Sequence, residues 1–254
     1  MRTLSTLFFL CCLAMSTFAQ TPRAVETDLL KSFKKIEYLY DHHNIGDDLI
    51  DANSVFRNKL KNYTENYPAS IKLPFDSLKK ARLDIFTSAD GLFRIYSWDT
   101  WLGGSMHIFD NVLQYKVGTK TKSVLLKGTV NSYIPFYNNL YTFKAGYKTY
   151  YLGIYNTIYS DKDVGTGIKV FAIENGKLND DVKVIKTGSG LKSKIYYDYD
   201  FWSVVDIDFE KRPTITFDQT TQTIHLPLVD EDGKITKKLI NYKFNGQYFE
   251  KIKS

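Results

Sequence analysis

The chain has 254 residues with 34 basic and 28 acidic side chains, a net charge of +6 at pH 7. The basic excess is thin and scattered (Lys31, Lys34 and Lys35 early, Lys237 and Lys238 late). It forms no dense stripe of the kind that holds nucleic acid, and an ordinary charged surface accounts for it. Both cysteines, Cys11 and Cys12, lie at the N-terminus. The rest of the chain has no thiol for disulfides, nucleophilic catalysis or metal ligation, and no cofactor motif replaces them.

The first residues have three zones: Arg2, an apolar stretch over 4–13 centred on Leu7, Phe8, Phe9, Leu10 and Leu13, then Thr17-Phe18-Ala19. That layout predicts a secretory signal peptide over residues 1–19, cut before Gln20. The apolar stretch is shorter than the roughly 20 residues that span a bilayer, so no transmembrane segment is expected after cleavage. An uncleaved anchor and a lipid anchor on Cys11 or Cys12 are the alternatives. Phe8-Phe9-Leu10 lacks the small residues that lipid processing needs. Export places the protein in a periplasm or outside the cell and leaves about 235 residues, enough to bury a core without disulfides.

Residues 24–41 carry Val25, Leu29, Phe33, Ile36 and Tyr40 at spacings of three and four, which predicts a helix opening at Thr21-Pro22. His42-His43-Asn44-Ile45-Gly46 breaks the pattern. A second helix is predicted over 47–66, with Leu49, Ala52, Phe56, Leu60, Tyr63 and Tyr67 on one face. Asp47 and Asp48 suit the positive end of its dipole, and Pro68 stops it. The pair reads as a helical hairpin. With a linker containing Pro68 and Pro74 it makes up residues 20–82.

From Leu83 the period becomes two, and 83–254 reads as an antiparallel β domain. The chain has 19 tyrosines and 17 phenylalanines, concentrated here, where aromatics favour strands. Turns are predicted at Ala89-Asp90-Gly91, Asn138-Asn139, Glu174-Asn175-Gly176, Gly188-Ser189-Gly190, Glu231-Asp232-Gly233 and Phe244-Asn245-Gly246. They separate about a dozen candidate strands. One covers 204–210, with Val205, Ile207 and Phe209 inward and Val204, Asp206, Asp208 and Glu210 outward. The closing segments 214–217, 223–226 and 239–244 read as a meander. The expected architecture is a β-meander forming a sandwich or open barrel, with a small or incomplete propeller as the alternative. No clean repeat of 40–45 residues supports propeller blades.

The block Thr87-Ser88-Ala89-Asp90-Gly91-Leu92-Phe93-Arg94-Ile95-Tyr96-Ser97-Trp98-Asp99-Thr100, with Gly103-Gly104-Ser105-Met106-His107, resembles one that recurs in uncharacterised exported proteins of the Bacteroidota. Ile224-His225-Leu226-Pro227-Leu228-Val229-Asp230 and Tyr242-Lys243-Phe244-Asn245-Gly246-Gln247-Tyr248-Phe249 are similar to the same proteins. The resemblance implies a Gram-negative periplasm or exterior. It implies no activity and assigns no functional residue.

Two clusters are candidate ligand-binding sites. Trp98, Asp99, Trp101 and His107 gather two stacking faces, a carboxylate and an imidazole within ten positions. The plainer alternative buries the tryptophans at a strand corner and leaves Asp99 to bind turn amides. Tyr196, Asp198, Asp200 and Trp202 share one strand face by alternation. Paired carboxylates beside aromatics would suit a sugar or a cation, whereas a solvated face is the plainer reading. Asp41-His42-His43 with Asp47 and Asp48 meets no metal-ligand spacing, and no metal is expected. Asp161-Lys162-Asp163-Val164-Gly165-Thr166-Gly167 and Asp230-Glu231-Asp232-Gly233 read as hairpin loops, since neither completes a calcium loop. Any Ser-His-Asp triad would need His107 or His225, and His225 alternates between Ile224 and Leu226 as a surface position.

No nucleophile elbow, zinc-protease helix or phosphate loop occurs. The expected function is therefore an exported, non-catalytic module that binds a glycan or an envelope protein. An inhibitor of an incoming hydrolase is the same expectation with a different partner. The alternative is a glycan hydrolase using Asp198, Asp200 or Asp99 as acid or base.

Overall fold

The computed structural model describes residues 21–126, 133–208 and 211–253. The expected signal segment, 1–19, lies outside the described residues. Two helices open the chain, α1 (Pro22–Asp41) and α2 (Asp47–Asn66). A 3-10 turn (Pro68–Lys72) and a short helix α3 (Asp76–Lys80) follow. The strands are β1 (Asp84–Thr87), β2 (Phe93–Asp99), β3 (Phe109–Val117), β4 (Lys120–Leu125), β5 (Phe136–Ala145), β6 (Lys148–Ile158), β7 (Asp163–Glu174) and β8 (Lys177–Asn179). They continue as β9 (Ile185–Thr187), β10 (Gly190–Lys192), β11 (Lys194–Asp200), β12 (Thr216–Asp218), β13 (Thr223–Val229), β14 (Ile235–Phe244) and β15 (Phe249–Ile252).

The protein is mainly β, and no closed barrel forms. The first sheet is the meander β1-β2-β3-β4. The second runs β11-β7-β6-β5, with β8 beside β7. The third runs β10-β9-β15-β14-β13-β12, in which β15 and β9 are parallel. Among the described residues no helix is long and apolar enough to cross a membrane.

The layers stack in series. On β2, Tyr96 and Trp98 join a core with α1, α2 and α3, while Phe93 and Ile95 join a second core with Tyr137, Tyr151 and Phe171 of the second sheet. The opposite face of the second sheet supplies Phe143, Leu152, Ile154, Ile168 and Val170 to a third core with Phe217, Ile224, Phe244 and Phe249. Strand alternation makes this possible, because one strand can feed two cores.

α1 starts as its sequence predicts: the Thr21 hydroxyl accepts from the Ala24 N–H at 3.2 Å, and Pro22 sits in the first turn. Its buried stripe ends on Leu39 instead of Tyr40, which turns outward and stacks on Trp101 with ring centroids 4.4 Å apart. The phenol keeps its polar tip toward water. The predicted linker is structured, and its Ile71, Phe75 and Leu78 are buried.

Three local expectations are corrected. Asn138-Asn139 is not a turn; it lies within β5, where the register with β6 shifts between Tyr137 and Asn139. Of the expected strand 204–210, the described part, 204–208, is not a strand. The Asp200 carboxylate accepts from the Trp202 N–H at 2.9 Å and turns the chain into a 3-10 turn over Phe201–Ser203. Val204 is then buried and Val205 exposed, the reverse of the expected sides; Phe209 and Glu210 lie outside the described residues. The same turn ends β11 at Asp200, so Trp202 leaves the face it was expected to share with Tyr196 and Asp198. The stretch 161–167 is a loop only at its start, because β7 begins at Asp163 and contains both Gly165 and Gly167.

Burial of β2 and most of β3 on both faces forces their polar side chains into partnerships. Arg94, 5% exposed, donates to the Ser70 and Leu73 carbonyls at 2.9 and 2.8 Å and to the Thr87 hydroxyl at 2.6 Å. Gln114 donates to the Thr64 carbonyl and the Ser70 hydroxyl, each at 2.7 Å, and accepts from the Tyr96 phenol at 3.0 Å. Asp110 is paired with Arg57 at 2.9 Å. Burial lifts its carboxyl above the usual carboxylate range, and Arg57 opposes that lift.

Replacing Arg94 with leucine strands these buried acceptors and is expected to cost about 2–4 kcal/mol in urea denaturation, with lysine recovering only part because it lacks the guanidinium fork. Arg57→Ala leaves the burial of Asp110 unopposed. At pH 7 the loss should be about 1–3 kcal/mol, discounted because Arg57 is a third exposed. A carboxyl raised in the folded state binds its proton there first, so the deficit of Arg57→Ala should shrink as pH falls through the folded pKa. A deficit that grows on acidification would contradict this assignment.

Candidate binding cleft

A cleft lies on the face of the second sheet that looks toward the first. Sheet alternation puts Tyr151, Gly153, Tyr155 and Thr157 of β6 on that face, with Gly165, Gly167, Lys169 and Phe171 of β7 beside them. β11 adds Lys194, Tyr196, Asp198 and Asp200 at the edge, opposite Lys169, Gly167, Gly165 and Asp163. The first sheet packs on β5 and covers Tyr151 and Phe171, but the β7–β11 edge extends past it. The overhang is a cleft of about 490 Å³, within the range of ligand sites. Tyr133, Tyr137, Tyr155, Tyr159 and Tyr196 line it.

Three glycines seat these rings. A methyl group on Gly167 would stand 2.4 Å from the Tyr155 ring, and one on Gly153 would stand 2.8 Å from the Tyr137 ring. A methyl on Gly165 would meet Thr157 Oγ1 at 2.5 Å, Asp198 Oδ1 at 2.7 Å and the Tyr159 hydroxyl at 3.2 Å. Those three polar groups therefore converge over one bare stretch of β7. The start of β5 is fixed from below: the Tyr137 N–H donates to Ser97 Oγ at 3.0 Å, Ser97 bonds Asn111, and Asn111 donates to the Pro135 carbonyl at 2.7 Å.

Tyr137 is 0% exposed, yet its hydroxyl has no hydrogen-bond partner among the described residues. Burial holds this phenol well above its ordinary range, reinforced by Tyr155 and Asp180. Burial likewise raises Tyr155 and Tyr159. All three are neutral hydroxyls that can both donate and accept. At the rim Lys169 pairs with Asp180 at 2.8 Å. Asp181 accepts from Ser193 at 2.7 Å, which together with Lys183 holds it below the usual carboxylate range.

Of the residues singled out by sequence, Tyr196 lines this cleft and Asp198 borders it. Asp200 does not join them: one oxygen caps the turn at Trp202 and the other faces Lys162 at 3.6 Å, while Trp202 is exposed beyond the strand end. The other cluster divides by alternation. Trp98 is buried among the helices, edge-on to Phe56 at 5.0 Å, and donates to Asn53 at 3.2 Å. Asp99 accepts from the Trp101 N–H at 2.8 Å and from His107 Nδ1. Trp101 is covered by Tyr40, and His107 stacks on Phe109. This corner ties Trp101 and His107 together beside the end of β6, where the His107 N–H meets the Ile158 carbonyl at 3.2 Å.

His225 bonds Asn241 at 2.7 Å on the third sheet. His42 folds back onto Tyr38, and among the described residues no three His, Asp or Glu side chains gather as a metal site. Tyr133, Tyr137, Tyr155 and Tyr159 were not anticipated from the sequence. Their signal is the spacing Tyr151-x-Gly153-x-Tyr155-x-Thr157-x-Tyr159 opposite Gly165-x-Gly167.

No protein-family model matches the chain, and no curated protein is significantly similar to it.

The seating of Tyr155 is directly testable. Gly167→Ala should cost about 1–3 kcal/mol in chemical denaturation, because either the ring or the strand must move. Gly188→Ala, where a methyl meets nothing within 4 Å, should stay within about 0.5 kcal/mol of the parent. Equal effects at the two positions would refute the seating.

Proposed function

We propose that this protein is an exported, non-catalytic module that binds an uncharged saccharide in the tyrosine-lined cleft. The observation that carries the reading is the buried Tyr137 hydroxyl, without a partner among the described residues, on a residue that lines a cleft together with four further tyrosines. A buried hydroxyl without a partner costs about 1–3 kcal/mol. A sugar hydroxyl reaching it would remove that cost. Tyrosine rings offer a sugar ring an apolar face and a polar tip at once. Thr157, Tyr159 and Asp198 supply convergent polar contacts above the Gly165 backbone. The cleft mixes Lys169 and Lys194 with Asp180 and Asp181 at its rim, so no single sign of charge selects an ionic ligand. Export rests on the signal-peptide pattern of residues 1–19.

Hydrolysis is the weaker reading. Glycoside hydrolases set two carboxyl groups about 5–9.5 Å apart across the scissile bond. Here Asp180 is engaged by Lys169 and Asp181 by Ser193. Asp200 serves a turn cap, and Asp99 serves Trp101 and His107 at another corner. Asp198 is left without a carboxyl partner assigned to it.

Residues 20–254 should be retarded in affinity electrophoresis through at least one neutral polysaccharide. Tyr155→Ala and Tyr159→Ala should each weaken binding about tenfold, the equivalent of ~1.4 kcal/mol. Asp198→Asn should leave reducing-sugar release at the buffer level, as in the parent. Failure to bind any neutral polysaccharide would overturn the reading. Release of sugar that Asp198→Asn abolishes would replace it with the hydrolase.

A further inference from the structure

The opposite face of the second sheet carries a separate cleft, also of about 490 Å³, at the end where the second and third sheets diverge. The aromatic core between these sheets is tight around Phe143, which lies 4.8 Å from Phe244 and 5.6 Å from Phe217. Toward the far end of β6 that packing gives out, and the chain entering β12 crosses the gap. Phe136, Ile154, Ile158, Val164, Tyr199 and Ile215 supply apolar walls.

Two features mark this cleft as built for a ligand. Asn138 lines it, and its buried side-chain oxygen has no hydrogen-bond partner among the described residues. Asn138 is also the extra residue of the β5 bulge, between Tyr137 paired with Tyr155 and Asn139 paired with Ile154. Bulges re-aim side chains and are enriched beside binding sites. Arg212 is the one charged side chain among the described lining residues, and its donors are already engaged. Arg212 is committed to the Ile207 carbonyl at 3.0 Å and lies over the Phe201 ring at 5.1 Å. Burial raises the Tyr199 phenol, against the pull of Arg212.

We infer that this cleft binds a compact, neutral, apolar molecule bearing one hydrogen-bond donor, which it gives to the Asn138 side-chain oxygen. The site lies across the sheet from the saccharide cleft: Ile154, Val164 and Tyr199 face away from Tyr155 and Asp198, although Thr157 and Thr166 of the intervening strands border both clefts.

N-phenyl-1-naphthylamine is a suitable probe: neutral, apolar, fluorescent when sheltered from water, and equipped with one N–H. Titrated into residues 20–254 it should give a saturable 1:1 signal. Its N-methyl analogue, which lacks the donor, should bind about tenfold more weakly, the worth of one hydrogen bond to a buried acceptor. Asn138→Leu should erase that difference between the two probes and leave the melting temperature equal to or above the parent, since it removes an unpaired oxygen. Ile158→Trp should block the site, with Val164→Phe filling it from the other wall if the first variant folds poorly. Tyr159→Ala, in the other cleft, should bind the probe as the parent does. The inference is overturned by an unsaturable signal, by equal binding of both probes to the parent, or by loss of probe binding in Tyr159→Ala. The first two need no variant to fold, and none of the three bears on saccharide binding.

Discussion

Everything in this fold depends on the middle of the first sheet, β2 and most of β3, being buried on both faces. β2 is covered by helices on one side and by the second sheet on the other, and only its last residue reaches partial exposure. A strand in that position cannot leave a polar group to water, so each must be matched inside the protein. Arg94 is the extreme case. It has no carboxylate partner; its charge is spread over two main-chain carbonyls and a hydroxyl. Those carbonyls belong to the 3-10 turn at Pro68–Lys72 and the residue after it, so the same contact pins the helical hairpin to the sheet. On the other face Ser97 and Asn111 hold the start of β5 through its main chain. One sheet thereby sets the position of the layers on both sides, and with them the cleft that the second sheet leaves open.

The second sheet then works by contrast. It is wider than the layer above it, and its glycines lie where that cover ends. Gly153 and Gly167 receive aromatic rings from neighbouring strands, which packs Tyr137 and Tyr155 flat against backbone. Glycine in a strand interior is unfavourable in itself, and close approach of another group is the usual reason it is kept. The rings recover packing that the missing side chains would have supplied, and both residues line the cleft.

Much of the fold was legible from local patterns. The helix starting at Thr21-Pro22, the turns at Asp90-Gly91 and Asn175-Gly176, and the closing meander follow from cap chemistry, positive φ and alternation. The turn at Gly118-Thr119 was missed, although Gly118 has φ of 60°. Asn138-Asn139 has the composition of a turn but lies in a bulge, because long-range pairing with β6 overrides local preference. The site was less legible. Alternation alone separates Trp98 from Asp99, so their nearness in sequence was misleading. Tyr196 and Asp198 were found because they share a strand face. Their partners Tyr137, Tyr155 and Tyr159 come from other strands, and which aromatics stay uncovered depends on how far one sheet overhangs another. Periodicity within one strand does not encode that distance.

The bulge in β5 ties the two clefts together physically. Tyr137 and Asn138 are consecutive and so face opposite sides of the sheet, while the extra residue shifts the register so that Asn138 and Asn139 both line the second cleft; Tyr137 and Asn138 each end in a buried polar atom without a partner among the described residues. Two such atoms together cost on the order of 2–6 kcal/mol, against a net stability of about 5–15 kcal/mol for a typical domain. A phenylalanine and a leucine at these positions would keep the packing and avoid the cost, since removing an unpaired polar atom from a core is neutral or stabilising. Packing therefore gives no reason for either the hydroxyl or the amide. Both residues line clefts, and under the proposed readings an incoming hydroxyl or N–H completes each bond, which is a reason that stability does not supply.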